Sequence, residues 1–234
     1  MKIAIKRYHN QQTSINSYDV ALKSPTLLEA LTYINENIDH TLTFNSGCRS
    51  SVCGSCAVSV NAKPQLACAY KIQEGDLIEP MRYFEVIKDL VVDHNPAQST
   101  LISSKSYSEP TIPTPLVSQE KEKLNELQSD CILCGVCYSA CPVFETNKDF
   151  LGPFALTRVW RYVSDDRDSA KQEKIDTIQS QGVWDCTLCA ECTIACPQEI
   201  SSKDDILKLR TKSAQAGYSD PNFSMGMNFG SSMF

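Results

Sequence analysis

Residues 131–142 read CILCGVCYSACP, and residues 186–197 read CTLCAECTIACP. Both stretches space four cysteines as C-x2-C-x2-C-x3-C and follow the last one with a proline. The 234-residue chain holds twelve cysteines, and the other four lie together upstream. Three groups of four therefore account for every cysteine: Cys48, Cys53, Cys56 and Cys68; Cys131, Cys134, Cys137 and Cys141; Cys186, Cys189, Cys192 and Cys196. Such grouping indicates metal ligation rather than scattered structural thiols.

The two downstream runs have the spacing with which bacterial ferredoxins bind two [4Fe–4S] clusters. In that arrangement the first three thiolates of a run bind one cluster and the fourth binds the other. The predicted ligands are Cys131, Cys134, Cys137 and Cys196 for the first cluster, and Cys141, Cys186, Cys189 and Cys192 for the second. If Cys189 is not a ligand, the second cluster is [3Fe–4S]. Zinc is the alternative, but a zinc site does not need the last cysteine and its proline.

The upstream group has the spacing C-x4-C-x2-C-x11-C. This is the plant-type ferredoxin arrangement for a [2Fe–2S] cluster, which predicts Cys48, Cys53, Cys56 and Cys68 as its ligands. Gly47 and Gly54 allow the backbone to come close to the cluster. Zinc prefers two C-x2-C pairs, and this group contains only one.

Charge and hydropathy exclude other classes of protein. The formal net charge is −6, which disfavours a nucleic-acid partner, because phosphate binding needs clustered Lys and Arg. No apolar stretch approaches the roughly 20 residues that cross a bilayer. The N-terminal MKIAIKRYHNQQ lacks the apolar core of a signal peptide. We therefore expect synthesis in the cytosol, where thiols stay reduced and disulfides are disfavoured.

Residues 1–95 are predicted to form a small α+β domain around the [2Fe–2S] loop. Strands are expected near 2–8, 17–23 and 57–61, with Ile3 and Ile5 on one face of the first. A helix follows Thr26, which is expected to cap it with Glu29 as the capping-box partner. Its expected apolar face comprises Leu27, Leu28, Leu31 and Ile34.

The rest of the chain divides by composition. Residues 96–117 contain four prolines and many Ser and Thr, which predicts an extended linker. Residues 118–216 are predicted to be helical, and Ser202 with Asp205 is expected to cap the helix after the second run. The tail, residues 217–234, is rich in Gly, Ser, Met and Phe and is expected either to fray or to lie along a partner.

Other titratable groups do not suggest an active site on this chain. His9, His40 and His94 lie far from the cysteine runs in sequence and are expected to be surface or packing residues. Asp165–Asp166 and Asp204–Asp205 are interpreted as charges at helix ends. The sequence has no nucleotide-binding loop and no nucleophile arrangement. Redox centres without a substrate site indicate an electron carrier.

The order of these groups resembles the iron–sulfur subunit of succinate dehydrogenase and fumarate reductase. Three stretches resemble that family: SGCRSSVCGSCAVSVNAKPQLACA (46–69), EPMRYFEVIKDLVVD (79–93) and FLGPFALTRVWRYVSDDRD (150–168). The resemblance implies an α+β plant-type ferredoxin (β-grasp) domain followed by an all-α bacterial two-cluster ferredoxin domain. It also implies electron transfer between the FAD of a flavoprotein subunit and a membrane-side carrier. Such a complex is peripheral to the membrane, on the cytoplasmic side or, by co-export, on the periplasmic side.

Two features depart from most of that family. Cys189 occupies a position that is usually not cysteine, and a fourth thiolate there predicts a full [4Fe–4S] cluster of lower potential. Glu145 and Thr146 replace a Trp pair, and Thr187 replaces a His, so the usual quinone pocket is not expected. Some family members with four cysteines in this run resemble this chain and pair with a cysteine-rich, heterodisulfide-reductase-like subunit, which implies that a quinone would be reached indirectly.

Two alternatives stay open at this point. The same kind of carrier would serve a different flavoprotein, in a thiol-coupled fumarate reductase or a heterodisulfide-reductase-like complex. The second alternative is a binding or structural protein whose metal only stabilises the fold. Metal analysis that finds zinc without iron would identify such a protein.

Overall fold

The computed structural model describes residues 1–9 and 12–221, which divide into two compact units. The first unit comprises Met1–Ser99, Asp130–Pro142 and Ala190–Ile200; the second comprises Thr100–Ser129, Val143–Cys189 and the residues from Ser201 onward. The units do not follow the order of the chain. Two short segments that carry cysteines, 130–142 and 190–200, belong to the same unit as the N-terminal residues.

Within the described residues, the first unit contains a five-stranded sheet of order β2-β1-β5-β3-β4. Its strands are β1 (Lys2–His9), β2 (Gln12–Asp19), β3 (Ala57–Val60), β4 (Lys63–Leu66) and β5 (Leu77–Glu79). Strand β1 is antiparallel to β2 and parallel to β5, and β3 is antiparallel to β4 and β5. Strands β6 (Glu85–Lys88) and β7 (Val91–Asp93) form a separate antiparallel pair.

The helices are short apart from α1, α6 and α9. In chain order they are α1 (Leu27–Asn37), α2 (Asn95–Ser103), α3 (Gln119–Glu122), α4 (Glu126–Ser129), α5 (Val136–Ala140), α6 (Gly152–Val163), α7 (Lys171–Thr177), α8 (Glu191–Ala195) and α9 (Ser202–Gln215). A 3-10 turn spans Pro142–Glu145. In the first unit, α5 and α8 pack against each other and both contact β4. In the second, α6 packs against α9.

Strand β1 and helix α1 bury the residues that the sequence predicted for their apolar faces. Ile3 and Ile5 are buried, as is the whole predicted apolar face of α1. The Thr26 hydroxyl accepts from the Glu29 N–H at 3.2 Å, and a Glu29 carboxylate oxygen accepts from the Thr26 N–H at 2.7 Å. This reciprocal capping box satisfies two helix-end donors and fixes the start of α1.

The second strand lies earlier than predicted. It spans Gln12–Asp19 rather than 17–23, because it pairs with β1 from His9↔Gln12 to Lys2↔Asp19. Strand β1 supplies partners over that range, and the register therefore decides where β2 begins and ends. Alternation in a short stretch of sequence does not contain that information.

The segment after β7 also departs from prediction. Residues 95–103 form α2, so the predicted extended conformation holds only after Ser103. Ser106 is buried and donates through Oγ to the Ala155 carbonyl at 3.1 Å. The Thr111 N–H donates to the Arg167 carbonyl at 2.8 Å. The proline-rich segment is therefore hydrogen-bonded to its own unit rather than free of it.

The start of α9 is shifted by one residue. Ser201 is the N-cap, and Ser202, the predicted cap, is the first helical residue and is buried. Asp205 turns inward, where its Oδ1 accepts from Gln128 Nε2 at 2.8 Å. The local motif did not reveal this partner because it lies 77 residues away in the chain.

The C-terminal end of the described chain is held by a hydrogen bond. Gly217 has φ +91° after α9, and the Tyr218 hydroxyl donates to Asp176 at 2.8 Å. Residues 222–234 of the predicted tail lie outside the described residues. Over residues 1–9 and 12–221, helices fall short of the length and hydropathy that a bilayer span requires.

Candidate metal centres

The loop before β3 turns its backbone toward sulfur. Arg49 and Ser51 each have φ +62° and Gly54 has φ +73°, so the chain reverses sharply around the cysteines. The Ser50 N–H donates to Cys48 Sγ at 3.4 Å, and the Cys48 N–H donates to Cys53 Sγ at 3.4 Å. Backbone donors of this kind stabilise thiolates and hold them in place for a metal.

Hydroxyl groups add to these donors. Ser55 Oγ lies 2.9 Å from Cys53 Sγ, and Ser51 Oγ lies 3.5 Å from Cys68 Sγ. When the sulfurs are thiolates, the hydroxyls are the donors. A Cβ at Gly47 would lie 2.5 Å from Ser55 Oγ, so only glycine leaves room for this arrangement.

Two of the upstream thiols, Cys48 and Cys56, differ in acidity. The Ser50 N–H is the main cause that lowers the pKa of Cys48 to about 6. Burial, with smaller contributions from the nearby Cys68 and Cys53 thiols, raises the pKa of Cys56 to about 11. Cys48 thus lies near Cys53, and Cys56 near Cys68 and Cys53, although across the described residues no three such side chains converge closely enough to hold a metal ion. This donor set fits a cluster of thiolate-bound iron.

The two downstream runs share one backbone conformation. Leu133 and Leu188, at the same position of each run, have φ +56° and +57°. Gly135 and Ala190, two residues later, have φ +75° and +70° and precede α5 and α8. Non-glycine residues in this region cost about 1–3 kcal/mol each, so their recurrence marks a functional loop.

The cysteine before each proline is extended. Cys141 has ψ 114° and Cys196 has ψ 118°, and each ends its short helix. A proline disfavours helical conformation in the residue before it. Pro142 and Pro197 therefore direct the last cysteine of each run away from the helix that carries the third.

The first unit gathers the predicted ligands of the first [4Fe–4S] cluster. Burial, with a smaller contribution from the neighbouring Cys131 and Cys196 thiols, raises the pKa of Cys134 to about 12. The pKa of Cys137 is well above its usual range, chiefly because of burial. Such thiols release their protons when they bind iron. The positive charge of the iron then offsets the cost of burying the thiolates.

The predicted ligands of the second [4Fe–4S] cluster are divided between the units. Cys141 and Cys192 are buried in the first unit, whereas Cys186 and Cys189 belong to the second. Cys186 Sγ accepts from the Leu188 N–H at 3.4 Å, which repeats the loop geometry seen at Cys48. Burial raises the pKa of Cys186.

The [2Fe–2S] loop contacts the first downstream run directly. A Cβ at Gly54 would lie 2.6 Å from the Cys134 Cβ and 2.8 Å from its Cα. Gln198 Nε2 donates to the Ser51 carbonyl at 3.1 Å, two residues after Cys196. Sequence reasoning missed both contacts; the only signal was the glycine between Cys53 and Ser55.

A small aromatic group contacts the same run. The Phe84 ring lies 5.0 Å from the His94 ring and 4.8 Å from the Tyr138 ring. A Cβ at Gly135 would lie 3.0 Å from Phe84. Burial lowers the pKa of His94, whose role as a packing residue is confirmed.

The two aspartate pairs behave differently. Asp165 pairs with Arg167 at 2.7 Å, and Asp166 pairs with Lys171 at 3.1 Å, which confirms a charge cluster after α6. In the second pair, Asp204 is exposed but Asp205 is buried. Burial raises the pKa of Asp205 to about 7. Both lie in the first turn of α9, as predicted, but the burial of Asp205 was not expected.

Two family models match the chain. One is described as a 2Fe-2S iron-sulfur cluster binding domain and matches residues 2–99. The other is described as a 4Fe-4S dicluster domain and matches residues 127–200. Both matches contain the cysteine groups described above.

Several curated proteins are similar over nearly the whole chain. An uncharacterized iron–sulfur protein of Methanocaldococcus jannaschii is 37% identical over 93% of this chain, which spans 45% of that relative. The fumarate reductase iron–sulfur subunit of Mycobacterium tuberculosis is 36% identical, over 90% of this chain and 91% of that protein. The 8-methylmenaquinol:fumarate reductase iron–sulfur subunit of Wolinella succinogenes is 34% identical, over 93% and 74%.

A solved structure shares the fold. A chain of the Mycobacterium smegmatis Sdh1 complex in the apo form superposes with a TM-score of 0.83. The match covers 94% of this chain and 98% of that chain, at 20% sequence identity.

Proposed function

This chain belongs to the family of iron–sulfur subunits of succinate dehydrogenase and fumarate reductase, and we propose that it relays single electrons between the FAD of a flavoprotein subunit and a membrane-side carrier. The observation that carries this proposal is the contact of Gly54 with Cys134. It joins the [2Fe–2S] loop to a [4Fe–4S] loop without an intervening side chain. A short path between two redox loops suits electron transfer and has no evident purpose in a purely structural metal site.

The cofactors are one [2Fe–2S] and two [4Fe–4S] clusters, which supply the one-electron carriers when bound. We assign Cys48, Cys53, Cys56 and Cys68 to the [2Fe–2S] cluster; Cys131, Cys134, Cys137 and Cys196 to the first [4Fe–4S] cluster; and Cys141, Cys186, Cys189 and Cys192 to the second. Spacing supports all three sets. The mutual influence of thiols on their pKa values supports the first two.

The protein's own residues hold and orient the thiolates. The N–H groups of Ser50 and Leu188 and the hydroxyl of Ser55 lie within reach of ligand sulfurs. Hydrogen bonds to sulfur stabilise negative charge and so favour the reduced state of a bound cluster. We assign residues 1–95 to a β-grasp ferredoxin domain and 118–216 to an all-α two-cluster domain, with 96–117 as the connection.

We infer two partners for this chain. One is an FAD-containing flavoprotein subunit, and the other is a membrane-side subunit, cysteine-rich and similar to part of heterodisulfide reductase. Cys189 supports the second partner because it completes a run of four cysteines, and Thr187 supports it because it departs from the usual quinone pocket. The complex would be peripheral to the membrane on its cytoplasmic side, and a quinone would be reached through the partner.

The test is redox titration of the purified complex, followed by electron paramagnetic resonance (EPR). We expect signals from one [2Fe–2S] and two [4Fe–4S] clusters, together with succinate- or fumarate-linked dye turnover by the flavoprotein. A strong [3Fe–4S] signal in the intact, oxidised complex would refute the assignment of Cys189. Full cluster content with another flavoprotein activity would move the carrier to a different complex, and zinc without iron would refute the proposal.

A further inference from the structure

Arg210, in the second unit, reaches from α9 to the chain that enters the second cysteine run. Its Nε donates to the Val183 carbonyl at 2.8 Å. A terminal nitrogen donates to the carbonyls of Trp184 and Cys186 at 3.3 and 2.7 Å. One guanidinium thus binds three backbone oxygens within four residues, the last of them on a predicted cluster ligand.

A second link holds the same segment to α9. Trp184 Nε1 donates to Gln179 Oε1 at 2.9 Å, and Gln179 Nε2 donates to Ser213 Oγ at 2.9 Å. Ser213 is buried and lies three residues after Arg210 on α9. The Arg210 guanidinium also lies over the Trp184 ring, 5.6 Å from its centroid. Helix α9 therefore anchors residues 183–186 at two points.

Helix α9 is itself held in place by packing within its unit. Ile206 and Leu209 are fully buried, and α9 packs along α6. An arginine on such a helix loses little freedom when it forms its hydrogen bonds, because its planar group is already oriented. The geometry is that of a rigid support rather than a surface contact.

Arg210 also brings a permanent charge to the backbone of Cys186, whose carbonyl lies 2.7 Å from a terminal guanidinium nitrogen. A guanidinium stays protonated in proteins. A positive charge that stabilises a thiolate also stabilises the electron added when a thiolate-bound cluster is reduced. It opposes the lowering of potential expected from the additional thiolate of Cys189.

We propose that Arg210 is a positioning residue that holds Cys186 for cluster binding and raises the reduction potential of the cluster bound there. The inference rests on the proposed function, because it requires Cys186 to be a ligand. It adds that α9, which carries no cysteine, adjusts the electron affinity of the second [4Fe–4S] cluster.

The experiment compares Arg210→Gln, Arg210→Lys and Lys212→Gln in the intact complex. Lys212 is an exposed cation on the same helix, so its replacement removes one charge without touching residues 183–186. The midpoint potential of the second [4Fe–4S] cluster is measured by EPR redox titration. We expect Arg210→Gln to lower this midpoint potential by about 59 mV, which corresponds to about a tenfold less favourable one-electron reduction. Arg210→Lys keeps the charge and should shift it far less.

Hydrogen exchange of residues 183–189 in the same samples tests positioning. We expect faster exchange in both Arg210 variants, because lysine cannot bind three carbonyls at once, and no change in Lys212→Gln. If the Arg210→Gln complex does not assemble its cluster, Arg210→Lys still tests the positioning role by exchange.

Three results would overturn the inference. One is an Arg210→Gln midpoint equal to that of Lys212→Gln, and another is an equal shift in Arg210→Gln and Arg210→Lys. The third is unchanged exchange of residues 183–189 in Arg210→Lys. A wild-type complex without a second [4Fe–4S] signal would instead refute the ligand assignment on which the inference depends, and the two failures are thus distinguishable.

Discussion

Replacement of Gly54 by alanine tests the contact between the two cluster loops. The new Cβ would lie 2.6 Å from the Cys134 Cβ, whereas ordinary carbon contacts need about 3.5–4.0 Å. The loops must therefore separate by about 1 Å. The left-handed φ of +73° adds about 1–2 kcal/mol, and the overlap adds about 1–3 kcal/mol. We expect Gly54→Ala to destabilise the folded protein by about 2–5 kcal/mol in total.

Gly75→Ala is the matched control. Gly75 has φ +86°, and a Cβ there would meet nothing within 4 Å. It should therefore show the backbone cost alone, about 1–2 kcal/mol. The difference between the two variants isolates the contact with Cys134.

Two measurements check this expectation. The first is the rate at which cluster absorbance is lost in denaturant, which rises about tenfold for each 1.36 kcal/mol lost from the unfolding barrier. The second is rapid-freeze EPR, in which the first [4Fe–4S] cluster should be reduced more slowly after the [2Fe–2S] cluster in Gly54→Ala only. Equal stability losses and equal reduction rates in the two variants would refute the reasoning.

Three further predictions concern single side chains. Cys189→Ser should convert the second [4Fe–4S] cluster toward [3Fe–4S] and raise its potential, which EPR of the oxidised protein and iron content will show. Ser55→Ala removes a hydroxyl 2.9 Å from Cys53 Sγ and should lower the [2Fe–2S] potential by about 20–60 mV, whereas Ser55→Thr should not. The pKa of Asp205 is raised from about 4 to about 7, so the folded state holds this proton more tightly and stability should fall as pH rises through that window. Asp205→Asn should remove this fall of stability with rising pH, measured through the unfolding rate, and Asp204→Asn should leave it in place.

The elements that the sequence predicted well are those whose cause is local. The capping box at Thr26 and Glu29 lies within four residues, and the buried face of α1 follows from helical periodicity. The extent of β2 was mispredicted because strand pairing with β1 decides it. The helix over 95–103 was missed because its composition is that of a linker.

In the candidate sites, too, the features with a local cause were predicted and those that depend on tertiary contacts were not. The spacing of the cysteines predicted the cluster types, and the matching families confirm them. The left-handed conformations of Leu133 and Leu188 were not foreseen, because leucine rarely adopts them and only the wrapped loop imposes them. The burial of Asp205 was missed because its partner Gln128 lies on a distant helix.

Sequence alone determined which clusters this protein binds, since ligation depends on how far apart a few thiolates lie along one loop. Tertiary structure decided how those loops are joined and supported. The contact of Gly54 with Cys134 and the reach of Arg210 to residues 183–186 each connect positions far apart in the chain. Such contacts arise only when the units fold, because packing rather than spacing brings the residues together.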